Sequence, residues 1–205
     1  MITIGITGGI GAGKSYVSEC LVRKGYRLYN SDLAARHLIN TDPEVKQAIQ
    51  SEFGTSIYQA DGNLNRKLLA EKVFQNPSAL EKLNAIVHPA TIYDFKVWKE
   101  TIPVSYPYLF QFKEAAILFE SGTYLNLDRI ILVYAPLTLR LKRVIERDQI
   151  SMDTILQRVQ HQWSDTKKII QSNDIIFNDE IHNLIPQIEF LLNKYDQLFN
   201  PLIKI

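Results

Sequence analysis

A glycine-rich stretch near the start of the chain carries the clearest chemical signal. Residues 8–15 read GGIGAGKS and fit the pattern G-x-x-x-x-G-K-[ST] at every fixed position. Glycines let backbone N–H groups curl around phosphate oxygens without Cβ clashes. Lys14 can reach the β- and γ-phosphates of a nucleotide, and the Ser15 hydroxyl can join the shell of a Mg²⁺ ion. The motif predicts phosphate binding by Gly8, Gly11, Ala12, Gly13, Lys14 and Ser15.

Three arginines recur at spacings of three and four residues further along the chain, at Arg140, Arg143 and Arg147. This spacing puts them on one face of a helix. Phosphoryl transfer depends on positioning and on stabilising charge, so arginines that close over the phosphates would serve it. The alternative is a solvated basic face with ion pairs to Glu146 and Asp148. The spacing alone favours that alternative.

The surroundings of the glycine-rich stretch fit a phosphate-binding loop (P-loop). Ile2 to Thr7 is a short apolar run, typical of a buried parallel strand. A helical pattern follows from about Lys14 to Arg23, and the positive end of its dipole would face the phosphates. A strand before the motif and a helix after it are what a P-loop requires. These features identify a nucleotide site and no particular reaction.

A GTPase is the first rival, because residues 193–196 read NKYD and match N-K-x-D. This match falls inside a predicted amphipathic helix at 182–199, where Tyr195 is needed on the apolar face. In addition, no Asp in the chain is followed three residues later by Gly, so a D-x-x-G switch element is absent. We therefore reject a GTPase.

The elements that must position these residues alternate between strands and helices, which predicts an α/β fold with a parallel sheet flanked by helices. Further strands are predicted at 26–29, 106–112, 129–134 and 175–177, and further helices at 137–147 and 152–163. Two helical stretches interrupt the alternation. The predicted organisation is a P-loop core at 1–31, 102–139 and 168–205, a helical acceptor-binding insertion at 32–101, and a lid at 140–167.

Composition excludes several classes of protein. The 205 residues are 46% hydrophobic and 22% charged, which is typical of a globular domain. The net charge of +1 argues against a broad surface for nucleic acid or an anionic membrane. The single Cys20 permits no intramolecular disulfide, and we find no signal peptide and no membrane span. A cytoplasmic protein without an obligatory protein partner is expected.

Several motifs share the order and spacing found in one family. From near residue 1 to about residue 180, the chain resembles dephospho-coenzyme A kinase. The landmarks after residues 6–15 are Asp32 with Ala35-Arg36, Leu83-Asn84, His88-Pro89, residues 117–122 (ILFESG), Arg143, Arg147-Asp148, Gln162 and Asn178.

The resemblance implies an ATP-dependent kinase. In this family the γ-phosphoryl group of ATP, bound with Mg²⁺, passes to the ribose 3′-hydroxyl of dephospho-CoA, which is the last step of CoA biosynthesis. The family also has a core like that of the nucleoside monophosphate kinases, a helical CoA-binding insertion and a lid. Another small-metabolite or nucleotide kinase, or a nucleotide-binding module without transfer activity, remains the alternative.

Site residues follow from the resemblance position by position. Asp32 is implied as the base that takes the 3′-hydroxyl proton or orients that hydroxyl, and its alternative is a helix N-cap. Arg143 and Arg147 are implied to act on the transferring phosphoryl group, and Asn178 to face the adenine. The acceptor site is implied to include Arg36, His88, Pro89 and Glu120. The alternatives are a surface charge for Arg36, a helix break at His88-Pro89, and for Glu120 a place behind the ligands of the Mg²⁺ ion.

Three positions depart from the family pattern. Tyr16 replaces the usual threonine after Ser15, although its backbone N–H stays available to the nucleotide. Residues 116–118 read AIL in place of proline-leucine-leucine, which is a packing change. Ser172-Asn173 replaces the usual Ala-Asp before the last strand, which leaves the roles around the adenine open.

Overall fold

The computed structural model describes residues 1–74 and 76–200. A five-stranded sheet in the order β2-β3-β1-β4-β5 forms its centre. Strand β1 pairs in parallel with β3 and with β4, and β4 pairs in parallel with β5. This sheet confirms the predicted fold class. The strands are β1 (Ile2–Thr7), β2 (Leu28–Asn30), β3 (Phe110–Glu114), β4 (Arg129–Tyr134) and β5 (Asp174–Phe177).

Helices connect and flank these strands. The phosphate loop joins β1 to the first helix, α1, and two helices, α6 and α7, fill most of the predicted lid. The α-helices are α1 (Lys14–Arg23), α2 (Ser31–Thr41), α3 (Pro43–Phe53), α4 (Arg66–Phe74), α5 (Pro77–Glu100), α6 (Leu137–Asp148), α7 (Met152–Gln160), α8 (Asp165–Gln171) and α9 (Leu184–Phe199). No helix among the described residues combines the length and the apolar character needed to cross a bilayer.

One face of the sheet is covered by apolar side chains, which alternate along β1 and β3. Ile4 and Ile6 of β1 and Phe112 of β3 are fully buried. They belong to one apolar cluster with Val17 of α1 and Tyr195 of α9. Burying such side chains stabilises the fold by about 1.5–3 kcal/mol each, relative to exposing them. Both ends of the P-loop are thereby attached to this buried cluster, through β1 and α1.

Two compact units divide the chain. One comprises residues 1–29 and 105–205 and contains the sheet apart from the end of β2, together with α1 and α6–α9. The other comprises residues 30–104, contains α2–α5, and has an apolar cluster of its own around Ile49, Ile57 and Val87. The predicted lid, residues 140–167, lies within the first unit.

Element boundaries differ from the sequence prediction at several ends. The strand predicted from Tyr106 begins at Phe110, and the Tyr106 hydroxyl donates to the Phe110 carbonyl at 2.8 Å. The helix predicted to reach Trp163 ends at Gln160, and the Trp163 N–H donates to the Glu120 carboxylate outside the helix. These polar partners are distant in sequence, so periodicity could not indicate them.

Candidate active site

The phosphate loop takes backbone shapes that only glycine adopts easily. Gly11 and Gly13 have φ angles of 77° and 91°, and Gly13 is the N-cap of α1. A Cβ atom on Gly8 would lie 2.3 Å from the Val133 carbonyl oxygen. The loop therefore curls tightly against β4, as a phosphate-binding loop must.

Arg140 lies against this loop from the lid side. Its side chain is only 5% exposed, and Nη2 donates to Asp165 Oδ2 at 2.6 Å while Nε donates to the Ala135 carbonyl. A Cβ atom on Gly9 would lie 1.9 Å from Arg140 Nη1, so the guanidinium occupies the space beside that glycine. For Arg140, the alternative of a solvated basic face is wrong.

Lys14 folds back over the loop that precedes it. Its Nζ donates to the Gly8 carbonyl oxygen at 3.0 Å and to that of Gly9 at 3.3 Å, and the residue is 9% exposed. The ammonium group is thus held over the curl of the loop, where the motif expects it to meet phosphate oxygens.

Glu114 is a site residue that the sequence analysis missed. It ends β3, is 3% exposed, and its backbone is in register with Ile6 of β1. The Ser15 hydroxyl donates to Glu114 Oε1 at 3.4 Å. The sequence signal that could have identified Glu114 is an acidic residue at the carboxyl end of a buried strand. Open α/β sheets bind their ligands at that end of the strands.

Asn178 connects the end of β5 to the phosphate loop and to α6. Its side-chain Nδ2 donates to the Ala12 carbonyl at 2.8 Å. Its own carbonyl accepts a bond from Arg143 Nη1 at 3.0 Å. The implied role of Asn178 toward the adenine stays a prediction. What the geometry adds is a contact that holds the loop just before Gly13.

Arg147 is the most exposed of the three lid arginines. Its side chain is 64% exposed and makes two bonds to the Asp148 carboxylate, at 2.7 Å and 2.9 Å. These bonds raise the pKa of Arg147 and lower that of Asp148. The ion pair expected under the alternative is therefore present. The three arginines have three environments, since Arg140 is buried, Arg143 is half-buried and Arg147 is exposed.

The Glu120 carboxylate contacts the segment at the end of the predicted lid. Its Oε1 accepts the Trp163 N–H at 2.6 Å and lies 3.2 Å from Lys168 Nζ. Lys168 is fully buried, and this burial lowers its pKa. The contacts of Glu120 attach the loop after β3 to the start of α8, and its implied role in acceptor binding stays a prediction.

Asp32 and Arg36 lie four residues apart on α2, and therefore on one face of that helix. The alternative that Asp32 caps the helix is wrong. The N-cap is Asn30, whose side-chain oxygen accepts the Leu33 N–H at 2.9 Å and whose backbone is extended. Asp32 sits in the first turn instead, and its side chain stays available for another role.

His88 and Pro89 lie in the middle of α5, and the helix continues through both from Pro77 to Glu100. The alternative of a helix break at this pair is wrong. Burial lowers the pKa of His88, so the imidazole is neutral near pH 7. A neutral imidazole can donate one hydrogen bond and accept another.

The N-K-x-D match lies within α9, as predicted. Lys194 Nζ pairs with Asp174 Oδ1, and the Tyr195 hydroxyl donates to Asp174 Oδ2 at 2.7 Å. Asp174 begins β5, whereas the phosphate loop follows the carboxyl end of β1 in the same parallel sheet. The segment therefore contacts the end of the sheet where the parallel strands begin, which is opposite to the end that carries the phosphate loop.

Removing the carboxylate of this match is expected to leave the choice of nucleotide unchanged. We expect Asp196→Ala to keep the ATP-to-GTP ratio of kcat/KM within about twofold of the wild-type ratio, with ATP preferred. Steady-state kinetics with both donors provides the measurement. A GTP preference in the wild-type enzyme that disappears in Asp196→Ala would contradict this placement.

The departure from the family pattern at Asn173 also lies at the end of the sheet where the strands begin. Its Oδ1 accepts the Ile130 N–H at 2.8 Å, just before β5 begins. The side chain of Tyr16 is exposed, and its backbone N–H bonds to Gly13 within the first turn of α1. The Asn173 bond therefore lies away from the phosphate loop, and the Tyr16 bond to Gly13 does not involve the Tyr16 side chain. The implied contact of the Tyr16 N–H with the nucleotide stays a prediction.

Comparison with known proteins agrees with this geometry. The model of the dephospho-CoA kinase family (CoaE) matches residues 2–183. A dephospho-CoA kinase from Bacteroides fragilis is 38% identical over 190 residues, covering 91% of this chain and 89% of that protein. The crystal structure of TT1252 from Thermus thermophilus has a TM-score of 0.80 at 28% identity, covering 97% of this chain and 98% of that one. Dephospho-CoA kinase from Campylobacter jejuni has a TM-score of 0.65 at 23% identity, covering 98% of each chain, and shares the fold.

Proposed function

The chain belongs to the dephospho-CoA kinase family, and from this premise we propose that it transfers the γ-phosphoryl group of ATP to the ribose 3′-hydroxyl of dephospho-CoA. The product would be CoA, so the reaction would complete CoA biosynthesis. The observation that carries the proposal is the family match over nearly the whole described chain, together with a complete phosphate loop. A cytoplasmic location, where ATP is abundant, accompanies it.

ATP binding is assigned to the phosphate loop and α1. The backbone N–H groups of Gly11, Gly13 and Ser15 can donate to phosphate oxygens. The Ala12 N–H donates instead to the Gly9 carbonyl oxygen at 3.0 Å, within the loop itself. The dipole of the ten-residue α1 helix favours negative charge at its start. Lys14 supplies a full positive charge beside them. Because phosphoryl transfer involves little covalent chemistry by the protein, fixed donors of this kind account for most of the expected catalysis.

The residues present fit a Mg²⁺ ion bound together with ATP. Mg²⁺ prefers oxygen ligands. The Ser15 hydroxyl and the Glu114 carboxylate supply two of them at the carboxyl end of the parallel strands. Among the described residues, no group of three or more His, Cys, Asp or Glu forms a metal cluster. Such a small set of protein ligands suits Mg²⁺, which keeps waters and phosphate oxygens in its shell. When bound, the ion would neutralise charge on the phosphates.

We assign Arg143 and Arg147 to the transferring phosphoryl group. Arg143 is fixed by its bond to the Asn178 carbonyl, next to the loop. Within the described part of the chain, Arg147 forms an ion pair with its neighbour Asp148, in the exposed last turn of α6. An exposed guanidinium held by one surface pair can change partner at small cost, since such pairs are worth about 0–1 kcal/mol.

Arg147→Ala is expected to lower kcat by about tenfold or more while changing the ATP dissociation constant little. The reason is that a contact made mainly in the transition state affects kcat more than ground-state binding. Single-turnover kinetics and ATP titration measure the two effects. Lys142→Ala, which removes an exposed charge from the same helix, is the matched control and should keep the wild-type kcat. An unchanged kcat in Arg147→Ala would return this residue to the role of a surface ion pair.

Residues of the 30–104 unit are assigned to the acceptor. Asp32 would orient the 3′-hydroxyl and take its proton, and Arg36 on the same face of α2 would pair with an acceptor phosphate. His88, kept neutral by burial, and Pro89 would line the acceptor site. Glu120 belongs to the other unit, and its acceptor contact is proposed from the family pattern alone. Each of these roles is a proposal that rests on position within the family pattern.

The proposal is tested by measuring ATP consumption with a panel of acceptors. Dephospho-CoA should be phosphorylated far faster than nucleosides, nucleotides or shikimate, and the product should release phosphate on treatment with a 3′-nucleotidase. Faster turnover of a nucleoside would replace the proposal with another small-molecule kinase. Nucleotide binding without turnover of any acceptor would identify a non-catalytic module.

A further inference from the structure

A short segment between α7 and α8 contacts the outer turn of the phosphate loop. We call residues 162–165 the clasp. Gln162 is its first member, and neither the general P-loop motif nor the assignments above give this residue a role. Its side chain is partly buried, and both ends of its amide bond to backbone groups far away in sequence.

Gln162 links two loops through opposite ends of one amide. Its Oε1 accepts the Ile10 N–H at 2.9 Å, in the outer turn of the phosphate loop. Its Nε2 donates to the Ala116 carbonyl at 3.1 Å, in the loop that follows β3. A backbone N–H in a curled loop that loses its partner is free to turn, and with it the neighbouring N–H groups that must face phosphate.

The clasp is itself held in place, so Gln162 is not a mobile surface side chain. The Trp163 N–H donates to Glu120, and the Trp163 ring stacks on Phe119 at a centroid distance of 5.3 Å and an angle of 7°. Lys167 Nζ lies 3.4 Å from the centre of the Trp163 ring, a cation–π contact. These contacts fix the backbone from which Gln162 extends.

A second contact connects the clasp to the loop. Asp165 accepts a bond from Arg140, and the guanidinium of Arg140 fills the space beside Gly9. Two consecutive loop residues, Gly9 and Ile10, are thus each in contact with a group tied to the clasp. The lid's C-terminal end therefore shapes the phosphate loop from outside, which leaves the inner face of the loop to the nucleotide.

We propose that Gln162 is a positioning residue, which holds the Ile10 N–H and thereby keeps the outer turn of the phosphate loop in the conformation that binds ATP. This inference rests on the proposed function, which supplies ATP as the ligand. If the bond is lost, the loop occupies the binding conformation for a smaller fraction of the time. The apparent ATP dissociation constant then rises as the inverse of that fraction.

Three variants test the proposal. Gln162→Met keeps the length of the side chain and loses both bonds, whereas Gln162→Glu keeps an acceptor for the Ile10 N–H. Asn173→Leu is the matched control. It removes another bond between a side-chain amide oxygen and a backbone N–H, that of Ile130, at the end of the sheet away from the phosphate loop. The readouts are hydrogen exchange of the peptide containing residues 8–15 in the ligand-free protein, and the dissociation constant of Mg-ATP from calorimetry.

In Gln162→Met, the backbone amides of the peptide containing residues 8–15 should exchange faster, and those of other peptides should not. This variant should bind Mg-ATP about tenfold more weakly, with the KM for dephospho-CoA unchanged. Gln162→Glu should keep the protection of the loop, and Asn173→Leu should change neither the loop exchange nor the ATP affinity.

Unchanged loop exchange in Gln162→Met, or an equal loss of ATP affinity in Asn173→Leu, would overturn the proposal. Loss of loop protection in Gln162→Glu would overturn it even if Gln162→Met failed to fold. Because exchange is measured without nucleotide, it tests the bond between Gln162 and the loop separately from the proposed function. A wild-type protein that failed to bind ATP would refute that function, whereas the exchange results would still decide whether Gln162 holds the loop.

Discussion

Replacing Lys14 by alanine is expected to lower kcat several hundred-fold while the protein stays folded. The ammonium group compensates charge on the γ-phosphoryl group, and losing a charge-assisted contact of this kind raises the barrier by about 3–4 kcal/mol. The structure holds Nζ over the curl of the loop through the Gly8 and Gly9 carbonyls. A coupled assay with dephospho-CoA gives kcat, and thermal unfolding tests the fold.

The matched control for this experiment is Lys24→Ala. Lys24 lies at the other end of α1 and pairs with Glu189 on the surface, so its loss removes the same charge without touching the loop. Its kcat should equal that of the wild type. If Lys14→Ala kept more than about a third of the wild-type kcat, the loop would not be the phosphate site and the whole assignment would fail.

Asp32→Asn is expected to lower kcat by roughly 10²–10⁴-fold, the usual range for a positioned acid–base group. The substitution keeps the size of the side chain and removes its charge. Helix capping cannot explain such a loss, because Asn30 is the N-cap of α2 and Asp32 lies in the first turn. Only the small favourable interaction of a carboxylate with the helix dipole, about 0.3–1 kcal/mol, is lost from stability. Single-turnover kinetics at saturating ATP and dephospho-CoA measures the effect on the chemical step.

Asp42→Asn provides a demanding control within the same unit. Asp42 is the N-cap of α3 and accepts the N–H groups of Glu44 and Val45. Its asparagine variant also removes a charge from a helix start and keeps a capping oxygen. We expect a wild-type kcat for it. A near-wild-type rate in Asp32→Asn would show that another group orients the 3′-hydroxyl.

The centre of the fold could be predicted because its signals are local. The apolar run at 2–7, the glycine loop and the helical pattern after Lys14 are contiguous, and each restricts the next. The structure places them as β1, loop and α1. Where local signals competed, prediction failed. Asn30, Ser31 and Asp32 are all good capping residues, and only the extended backbone of Asn30 decides among them.

The surroundings of the site depend on contacts between residues far apart in the chain. The period of three and four residues put Arg140, Arg143 and Arg147 on one face correctly, but it cannot distinguish a buried guanidinium from a solvated one. Asp165, in the next helix but one, makes that difference for Arg140. Glu114 was missed for the same reason, because its neighbour Ser15 is 99 positions away.

The lack of space beside Gly9 restricts which substitutions the sequence can accept at this position. The general motif leaves position 9 open to any residue, so the motif alone would tolerate alanine there. The guanidinium of Arg140 leaves no room for a methyl group at that place. The effects of substitutions at positions 9 and 140 on stability are therefore expected to be strongly non-additive. A residue larger than glycine at position 9 would be acceptable only after Arg140 has been replaced by a smaller residue. In a lineage of such enzymes, these two positions would change as a pair.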